Sequence, residues 1–293
     1  MEQNEIKQLA IVSGKGGTGK TTIAAAFAAL AKNKVMVDCD VDAADLYLLL
    51  KPNVLIQEKY FGGRSPHVDL DKCTQCGLCT EICRFHAIEN GVVDPVSCEG
   101  CGFCSHICPE SAIAMEEAFS GDWFISETQY GPFVHARLGI GEENSGKLVT
   151  VVRKKAVEIT MEKKLDLILI DGPPGIGCPV TASLTGVNFV LAITEPTLSG
   201  IHDLERILKL SVHFKIPSMV CINKFDLNLE NSANIASYCE KNGSMLIGKI
   251  LYEPKVVEAL VNRKTVMDYP CNEVQEIVYR MWKKVESLLI QKD

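Results

Sequence analysis

The chain has 293 residues, 47% of them hydrophobic and 23% charged, and its formal net charge at pH 7 is −7. This composition excludes a disordered or fibrous protein, and the length fits one large domain or two smaller ones. The acidic balance also argues against a nucleic-acid partner.

The apolar runs of the chain, such as residues 165–170 and 189–193, have the length of strands. They are well short of the about 18 residues that a membrane span needs, so we do not expect a membrane protein. The N-terminal residues lack the basic region and the long apolar region of a signal peptide. We therefore expect a cytoplasmic protein.

The predicted elements alternate between strands and helices around a cysteine-rich middle. In the first half of the chain we predict strand 9–13, helix 20–31, strand 34–38, helix 45–50, a cysteine-rich stretch at 68–115 and a segment without a clear helix at 119–143. In the second half we predict helix 148–163, strand 167–170, strand 188–193, helix 200–213, strand 219–222, and helices 231–241, 255–262 and 273–291. This alternation is typical of βαβ units and a parallel sheet. We therefore predict an α/β domain in two parts, residues 1–60 and 148–293, with an inserted domain at 61–116 and a connecting segment at 117–147.

A glycine-rich loop follows the first predicted strand and opens the first predicted helix. Residues 14–21 fit the phosphate-loop pattern G-x-x-x-x-G-K-[ST] in the structural context that the pattern requires. Glycines let backbone N–H groups face phosphates, and the helix N-terminus adds partial positive charge. Lys20 would reach the β- and γ-phosphates and Thr21 would ligate Mg²⁺; the alternative is an ordinary glycine-rich turn. The predicted nucleotide-binding residues here are Gly14, Lys15, Gly16, Gly17, Thr18, Gly19, Lys20, Thr21 and Thr22.

A second lysine in this loop, Lys15, is not needed by a simple phosphate loop. With it, the loop resembles that of the deviant Walker A ATPases, which include MinD, the Mrp-type iron–sulfur carriers and the nitrogenase iron protein. The resemblance implies a parallel-sheet P-loop fold and slow, partner-stimulated hydrolysis of ATP to ADP. It also implies an ATP-dependent dimer, either a homodimer or a heterodimer with a related ATPase, in which Lys15 reaches the nucleotide of the partner.

Two carboxylates extend this resemblance. Asp40 ends the stretch Asp38-Cys39-Asp40 and matches the residue that positions or activates the attacking water, although a loop cap is an alternative. Asp171 follows an apolar strand and precedes Gly-Pro-Pro-Gly, as in Walker B and switch II, and would hold the Mg²⁺ shell with Thr21 and Asp40. Phosphoryl transfer needs positioning and charge neutralisation, so the predicted catalytic set is Lys15, Lys20, Asp40 and Asp171.

Asn223 closes another predicted strand and matches the residue that reads adenine in the resembled family. The stretch Asn-Lys-Phe-Asp at 223–226 also fits the guanine-reading N-K-x-D of GTPases. The deviant phosphate loop favours ATP, with GTP as the alternative.

The cysteines organise the middle of the chain as an internal repeat. Eight of the 13 cysteines form two C-x2-C-x2-C-x3-C runs, the second 25 positions after the first. Disulfides are rare in the cytosol, so a dense cluster indicates metal ligation, and this spacing is that of bacterial two-cluster ferredoxins. Three cysteines of each run bind one [4Fe–4S] cluster and the fourth ligates the other. Cluster one would use Cys73, Cys76, Cys79 and Cys108, and cluster two Cys98, Cys101, Cys104 and Cys83. Structural zinc is the alternative.

The whole chain is similar to MinD-superfamily ATPases that carry an inserted ferredoxin domain. Three functions follow from this resemblance. The first, which we favour, is assembly or transfer of an iron–sulfur or mixed-metal cluster to an acceptor protein, with a redox step. The second is an ATP-gated, low-potential electron carrier to a redox partner. The third is a positioning or regulatory switch like MinD; here we expect the apolar face of 273–291 to dock on the core instead of a membrane.

Cys178 lies seven residues after Asp171 in a glycine-rich stretch. In the nitrogenase iron protein, a cysteine at this distance holds a cluster at the dimer interface. The resemblance makes Cys178 a candidate dimer-interface metal ligand, and packing within the turn is the alternative.

Overall fold

The computed structural model describes residues 6–139 and 145–290. In chain order the elements are β1 Lys7–Ser13, α1 Lys20–Leu30, β2 Lys34–Asp38, α2 Leu46–Leu50, β3 Asn53–Val68, α3 Leu78–Ile82, β4 Ile88–Glu89, β5 Val92–Val93, α4 Phe103–Ile107, β6 Ile113–Thr128, β7 Gly131–Leu138, α5 Ser145–Lys163, β8 Leu167–Pro174, α6 Cys178–Leu184, β9 Phe189–Thr194, α7 Leu198–His213, β10 Ser218–Asn223, α8 Leu229–Lys241, β11 Met245–Ile250, α9 Pro254–Val261 and α10 Asn272–Ile290. Short 3-10 turns occupy Phe225–Leu227 and Val266–Asp268.

In the described residues, nine strands form one sheet in the order β11-β10-β9-β1-β8-β2-β7-β6-β3. The strands from β11 to β7 are all parallel, and β6 and β3 add two antiparallel strands at one edge. Both faces of the parallel part are covered by helices, as parallel sheets require. Alternate residues of β1 show this: Leu9 and Ile11 pack with α1 and α10, while Ala10 and Val12 pack with α5 and α7.

The amphipathic α10 lies on this core, as its apolar pattern predicts. Trp282 packs edge-on against Phe27 of α1, with ring centroids 5.2 Å apart. Val278 and Val285 on the same face are buried. None of the helices within residues 6–139 and 145–290 has the length and hydropathy of a membrane span.

A long antiparallel ribbon carries the cysteine-rich segment. β3 and β6 have 16 residues each, and they pair from Asn53↔Glu127 at one end to Val68↔Ile113 at the other. β7 pairs with β6 only along the inner half of β6, and Leu138, the last residue of β7, lies opposite Gly121. The outer ribbon, residues 61–68 and 113–119, therefore projects beyond the sheet at the edge where the parallel strands end.

The cysteine-rich insert, residues 69–112, sits at the tip of this ribbon and shows the internal repeat in its structure. The helices α3 and α4 begin 25 positions apart, each after a glycine with positive φ. Ile88 and Ile113, also 25 apart, are buried together with Val68 in a small core against the cysteines. The repeat in the sequence thus corresponds to two copies of one small unit.

Each strand and helix predicted in the α/β part is present in the structure, with ends that differ by a few residues, but α6 and β11 were not predicted. The main difference lies at residues 119–143, which we predicted to have neither a clear helix nor a strand. The described part of this segment contains the second half of β6 and all of β7. The predicted insert boundaries, 61 and 116, fall inside β3 and β6, because those strands belong to the sheet at one end and to the insert at the other.

Candidate nucleotide and cysteine sites

The glycine-rich loop joins β1 to α1 at the edge where the parallel strands end. Gly19 has a φ of +91°, and a Cβ there would lie 2.4 Å from Nδ2 of Asn223. Asn223 donates from that atom to the carbonyl oxygen of Thr18 at 2.8 Å. The end of β10 therefore packs directly on the loop, which brings the predicted base-reading residue against the predicted phosphate-binding one.

Lys20 lies at the floor of this loop among carboxylates. Its Nζ donates to Oδ1 of Asp171 at 2.7 Å and lies 3.5 Å from Oδ2 of Asp40. Burial lowers the pKa of Lys20, but Asp171, Asp38 and Asp40 raise it more, so the net shift is upward and the ammonium is retained. The structure thus brings three of the four predicted catalytic residues together.

Asp38 is a buried carboxylate that sequence reasoning left without a role. Burial and the charge of Asp171 raise its pKa well above the ordinary value. Its two oxygens accept from the backbone N–H of Asp40 at 3.0 Å and of Leu46 at 3.3 Å. Asp38 therefore holds the loop that carries Asp40; the signal for it was the first aspartate of Asp38-Cys39-Asp40.

A cavity of about 440 Å³ opens above these residues, which is within the usual size range of ligand pockets. Its lining includes the predicted residues Gly16, Gly17, Thr18, Gly19, Lys20, Thr21, Thr22 and Asp40. Among the described residues, Oγ1 of Thr18 and Oδ2 of Asp171 are buried without a hydrogen-bond partner. Buried polar atoms are normally satisfied, so these two indicate where a polar ligand or a cation would complete the site.

Lys15 lies apart from this cavity and contacts the segment after β9. Its Nζ is 3.5 Å from Oε2 of Glu195 and 3.4 Å from the hydroxyls of Thr197 and Ser199. Lys224 donates to the other oxygen of Glu195 at 2.5 Å. Glu195, whose role we did not predict, thus ties the loop lysine to the residue after Asn223.

The eight clustered cysteines line two separate cavities in the insert. One cavity is lined by Cys83 from the first run together with Cys98, Cys101 and Cys104 from the second. The other is lined by Cys108 from the second run together with Cys73, Cys76 and Cys79 from the first. The structure therefore groups the cysteines in the same crossed sets of four that the spacing predicts.

The fourth cysteine of each run accepts a backbone hydrogen bond four residues later. The N–H of Ala87 donates to Sγ of Cys83 at 3.4 Å, and the N–H of Ala112 donates to Sγ of Cys108 at 3.3 Å. Within residues 6–139 and 145–290, no three His, Cys, Asp or Glu side chains converge as they would on a single metal ion.

Cys178 is exposed and is the first residue of α6, immediately after the turn that follows β8. A Cβ at Gly146, near the start of α5, would lie 3.4 Å from Cβ of Cys178. Cys178 is therefore not a buried packing residue, unlike Cys39, Cys221, Cys239 and Cys271.

The comparison with known families agrees with this geometry. The family model described as the CobQ/CobB/MinD/ParA nucleotide binding domain matches residues 9–266. The chain belongs to this family. It is therefore a nucleotide-binding protein of the MinD/ParA ATPase type, which agrees with the phosphate loop and with the resemblance stated from it.

The relatives that match in sequence carry no established function. The chain is 36% identical to an uncharacterized protein, MJ0578, of Methanocaldococcus jannaschii over 231 residues, which is 76% of this chain and 80% of that protein.

Solved structures confirm the MinD-like fold. One is the septum site-determining protein MinD of Pyrococcus horikoshii with Mg-ADP, with a TM-score of 0.58, 17% identity and 97% of each chain covered. Another is a chain of the MinC:MinD cell division protein complex of Aquifex aeolicus, with a TM-score of 0.56, 18% identity and 98% of each chain covered.

Proposed function

We propose that this protein is a Mg²⁺-dependent ATPase with two resident [4Fe–4S] clusters that acts, as a nucleotide-dependent dimer, in the assembly or transfer of an iron–sulfur or mixed-metal cluster, with a redox step. The observation that carries the proposal is the pairing, in one chain, of the Lys20–Asp171 site with two cavities of four cysteines each. The family supplies nucleotide binding, and the crossed cysteine sets add redox-active metal.

The residues of the nucleotide site fit ATP and Mg²⁺. Bound Mg²⁺ would neutralise phosphate charge and orient the phosphates. Thr21 and Asp171 would hold it, and the unpartnered Oδ2 of Asp171 supports this. Lys20, released from Asp171, would bind phosphate oxygens, since its ammonium is already desolvated and charged. Asp40 would orient the attacking water and accept its proton on the carboxylate that now faces Lys20.

The two cysteine cavities fit cubane clusters better than single ions. The clusters would supply one-electron redox capacity at low potential. A cubane separates its four thiolates around a body of iron and sulfide, whereas zinc draws them to one point. Each set of four cysteines lines the wall of its own cavity, which agrees with the first arrangement.

Cys178 favours cluster transfer among the functions considered. Its side chain is exposed at the start of α6, after the turn that follows the strand carrying Asp171, so a nucleotide-dependent movement at Asp171 would reach it. In a symmetric dimer, the two copies of Cys178 would offer two thiolates to a cluster that is being transferred. With two ligands from this protein, a cluster would keep coordination positions for ligands of an acceptor, as a cluster in transfer requires.

The test is an anaerobic transfer assay with the reconstituted, ⁵⁵Fe-labelled protein and an apo-ferredoxin as acceptor. We expect iron to appear in the acceptor faster with Mg-ATP than without nucleotide, and the ATP-dependent part to be lost in Cys178→Ala. The matched control is Cys239→Ala, a buried cysteine of α8, which should transfer as the wild type does. Equal transfer with and without ATP would contradict the proposal.

A second candidate, an ATP-gated electron carrier, is favoured by the surface around one cysteine cavity. The cavity with Cys98 and Cys101 is bordered by Ile82, Phe85 and Phe103, whose side chains are exposed. Exposed apolar groups of this kind mark surfaces for protein partners. Replacing the acceptor by an oxidised holo-ferredoxin, and reducing the labelled protein with dithionite beforehand, separates the two functions, because electron transfer reduces this acceptor without moving ⁵⁵Fe into it.

A further inference from the structure

Two bulges lie where the ribbon leaves the sheet. Tyr60 pairs with Gly121 and Phe61 with Phe119, so Ser120 is an extra residue on β6. Phe61 pairs with Phe119 and Gly63 with Ala118, so Gly62 is an extra residue on β3. Bulges bend a ribbon and loosen its ladder locally. These two adjacent bulges weaken the connection between the insert and the α/β domain at one place; a third bulge, at Leu55, lies at the other end of β3.

Ser120 joins the two bulges. It is completely buried, and its Oγ accepts from the N–H of Gly62 at 3.3 Å and donates to the carbonyl oxygen of Ala118 at 3.2 Å. Both strands of the bulged point are thus held by one hydroxyl group. A substitution at this position would change the ribbon without touching the nucleotide cavity.

The same serine is linked to the end of β7. The N–H of Gly139 donates to the carbonyl oxygen of Ser120 at 2.9 Å. One residue earlier, the N–H of Leu138 donates to the carbonyl oxygen of Val41 at 3.0 Å. Gly121 keeps these strands close, because a Cβ there would lie 2.5 Å from the carbonyl oxygen of Arg137. The base of the ribbon is therefore fastened to the residue that follows Asp40.

The loop at Asp40 is the part of the nucleotide site that this linkage reaches. Asp40 lies 3.5 Å from Lys20, and its N–H is held by Asp38. A nucleotide whose phosphates attract Lys20 would move the positive charge of Lys20 away from the carboxylates of Asp38 and Asp40. Val41, the next residue, would pass any shift of this loop to Leu138 through a direct hydrogen bond.

We propose that the hydrogen bonds from Val41 through Leu138, Gly139 and Ser120 to Gly62 make the mobility and orientation of the outer ribbon, and with it the cysteine-rich insert, depend on the nucleotide state. This inference rests on the proposed nucleotide binding. It assigns Ser120 as a positioning residue that acts through the ribbon and makes no contact with nucleotide. Coupling of this kind needs a contiguous set of contacts with two arrangements, and the double bulge supplies the element that can bend.

The test is amide hydrogen–deuterium exchange of the full-length protein with and without Mg²⁺ and a non-hydrolysable ATP analogue. Binding of the analogue is measured by calorimetry on the same samples. In the wild type we expect the analogue to change exchange in peptides covering 61–68 and 113–119 by at least about fivefold, the lower end of usual coupling between sites. In Ser120→Ala we expect unchanged affinity for the analogue and a response in these peptides below twofold.

Ser126→Ala is the matched control. Ser126 lies on the same strand and is equally buried, but its Oγ has no partner among the described residues. It should respond as the wild type does. An analogue that binds without changing exchange in the outer ribbon, or a wild-type response in Ser120→Ala, would overturn the coupling alone. A wild-type protein that does not bind the analogue would overturn the proposed function and the coupling with it.

Discussion

Lys20 and Asp171 form a buried ion pair across the nucleotide site, with Nζ of Lys20 2.7 Å from Oδ1 of Asp171. One residue comes from the start of α1 and the other from β8, so the pair joins the phosphate loop to the neighbouring strand. Binding of a nucleotide would therefore change the partner of each of these two residues. Phosphate would replace the carboxylate at Lys20, and Mg²⁺ would replace the ammonium at Asp171.

Lys20→Ala should weaken binding of Mg-ATP by at least about tenfold, because a hydrogen bond to a charged group is worth about 1.5–3 kcal/mol. Titration calorimetry measures this. Lys283→Ala, at an exposed position on α10, is the control and should bind as the wild type does. An affinity of Lys20→Ala within twofold of the wild type would exclude the assigned role of Lys20.

Lys15→Ala should separate binding from dimer formation. The ammonium of Lys15 faces Glu195, outside the cavity that Lys20 lines, so its loss should weaken nucleotide binding much less than the loss of Lys20. The nucleotide-dependent dimer should disappear, since the resemblance assigns Lys15 to the nucleotide of the partner. Calorimetry and light scattering with an ATP analogue measure the two effects. A Lys15→Ala protein that still dimerises would show that Lys15 acts only within its own chain.

The crossed cysteine sets make a prediction about variants far apart in sequence. Cys108→Ala should damage the same cluster as Cys76→Ala, because both residues line one cavity. Cys83→Ala should damage the same cluster as Cys101→Ala. Electron paramagnetic resonance of the reduced proteins should give one spectrum for the first two variants and another for the second two. If Cys108→Ala instead resembled Cys101→Ala, the ligands would follow the two runs and not the two cavities.

His135 makes the stability of the fold depend on pH. Its ring stacks between Phe124 and Phe133, with centroids 4.8 and 4.5 Å away. Burial, and then the charge of Arg137, lowers its pKa from 6.5 to about 4. The unfolded chain therefore binds a proton at His135 near pH 6.5, whereas the folded chain binds it only near pH 4. The contribution of the neutral His135 to the free energy of unfolding is full above pH 6.5 and is lost as the pH falls towards 4.

His135→Phe should flatten this dependence, which amounts to about 3 kcal/mol for a shift of this size. Urea unfolding at several pH values between 7 and 4 measures it. His202→Phe, at an exposed position on α7, should keep the wild-type profile. A His135→Phe protein that loses as much stability as the wild type on acidification would assign the pH dependence to other groups.

The local chemistry of the nucleotide loop and the grouping of the cysteines could be predicted from the sequence. Both follow from short spacings: Gly14 to Thr21 in one case, and the runs that start at Cys73 and Cys98 in the other. Residues this close in sequence have few ways to arrange themselves around one ligand. Most of the alternation of apolar strands and helices in the α/β part could be predicted because each of these elements has its own periodicity, but α6 and β11 were missed.

The long ribbon and the contacts of Lys15 could not be predicted. The bulges at Gly62 and Ser120 break the alternation of polar and apolar residues that marks a strand, and the exposed half of β3 has no buried face. The pairing of Lys15 with Glu195 joins residues far apart in sequence, and no local pattern indicates it. Asp38 was overlooked because its role is to hold Asp40, which only the backbone contacts reveal.

A stoichiometry measurement on protein purified without oxygen shows whether one chain holds both a nucleotide site and two iron–sulfur clusters. Iron and acid-labile sulfide are counted per chain, together with bound nucleotide after saturation with Mg-ATP. We expect about eight iron atoms, about eight sulfides and about one nucleotide per chain. Zinc in place of iron, about four iron atoms per chain or no bound nucleotide would contradict this expectation.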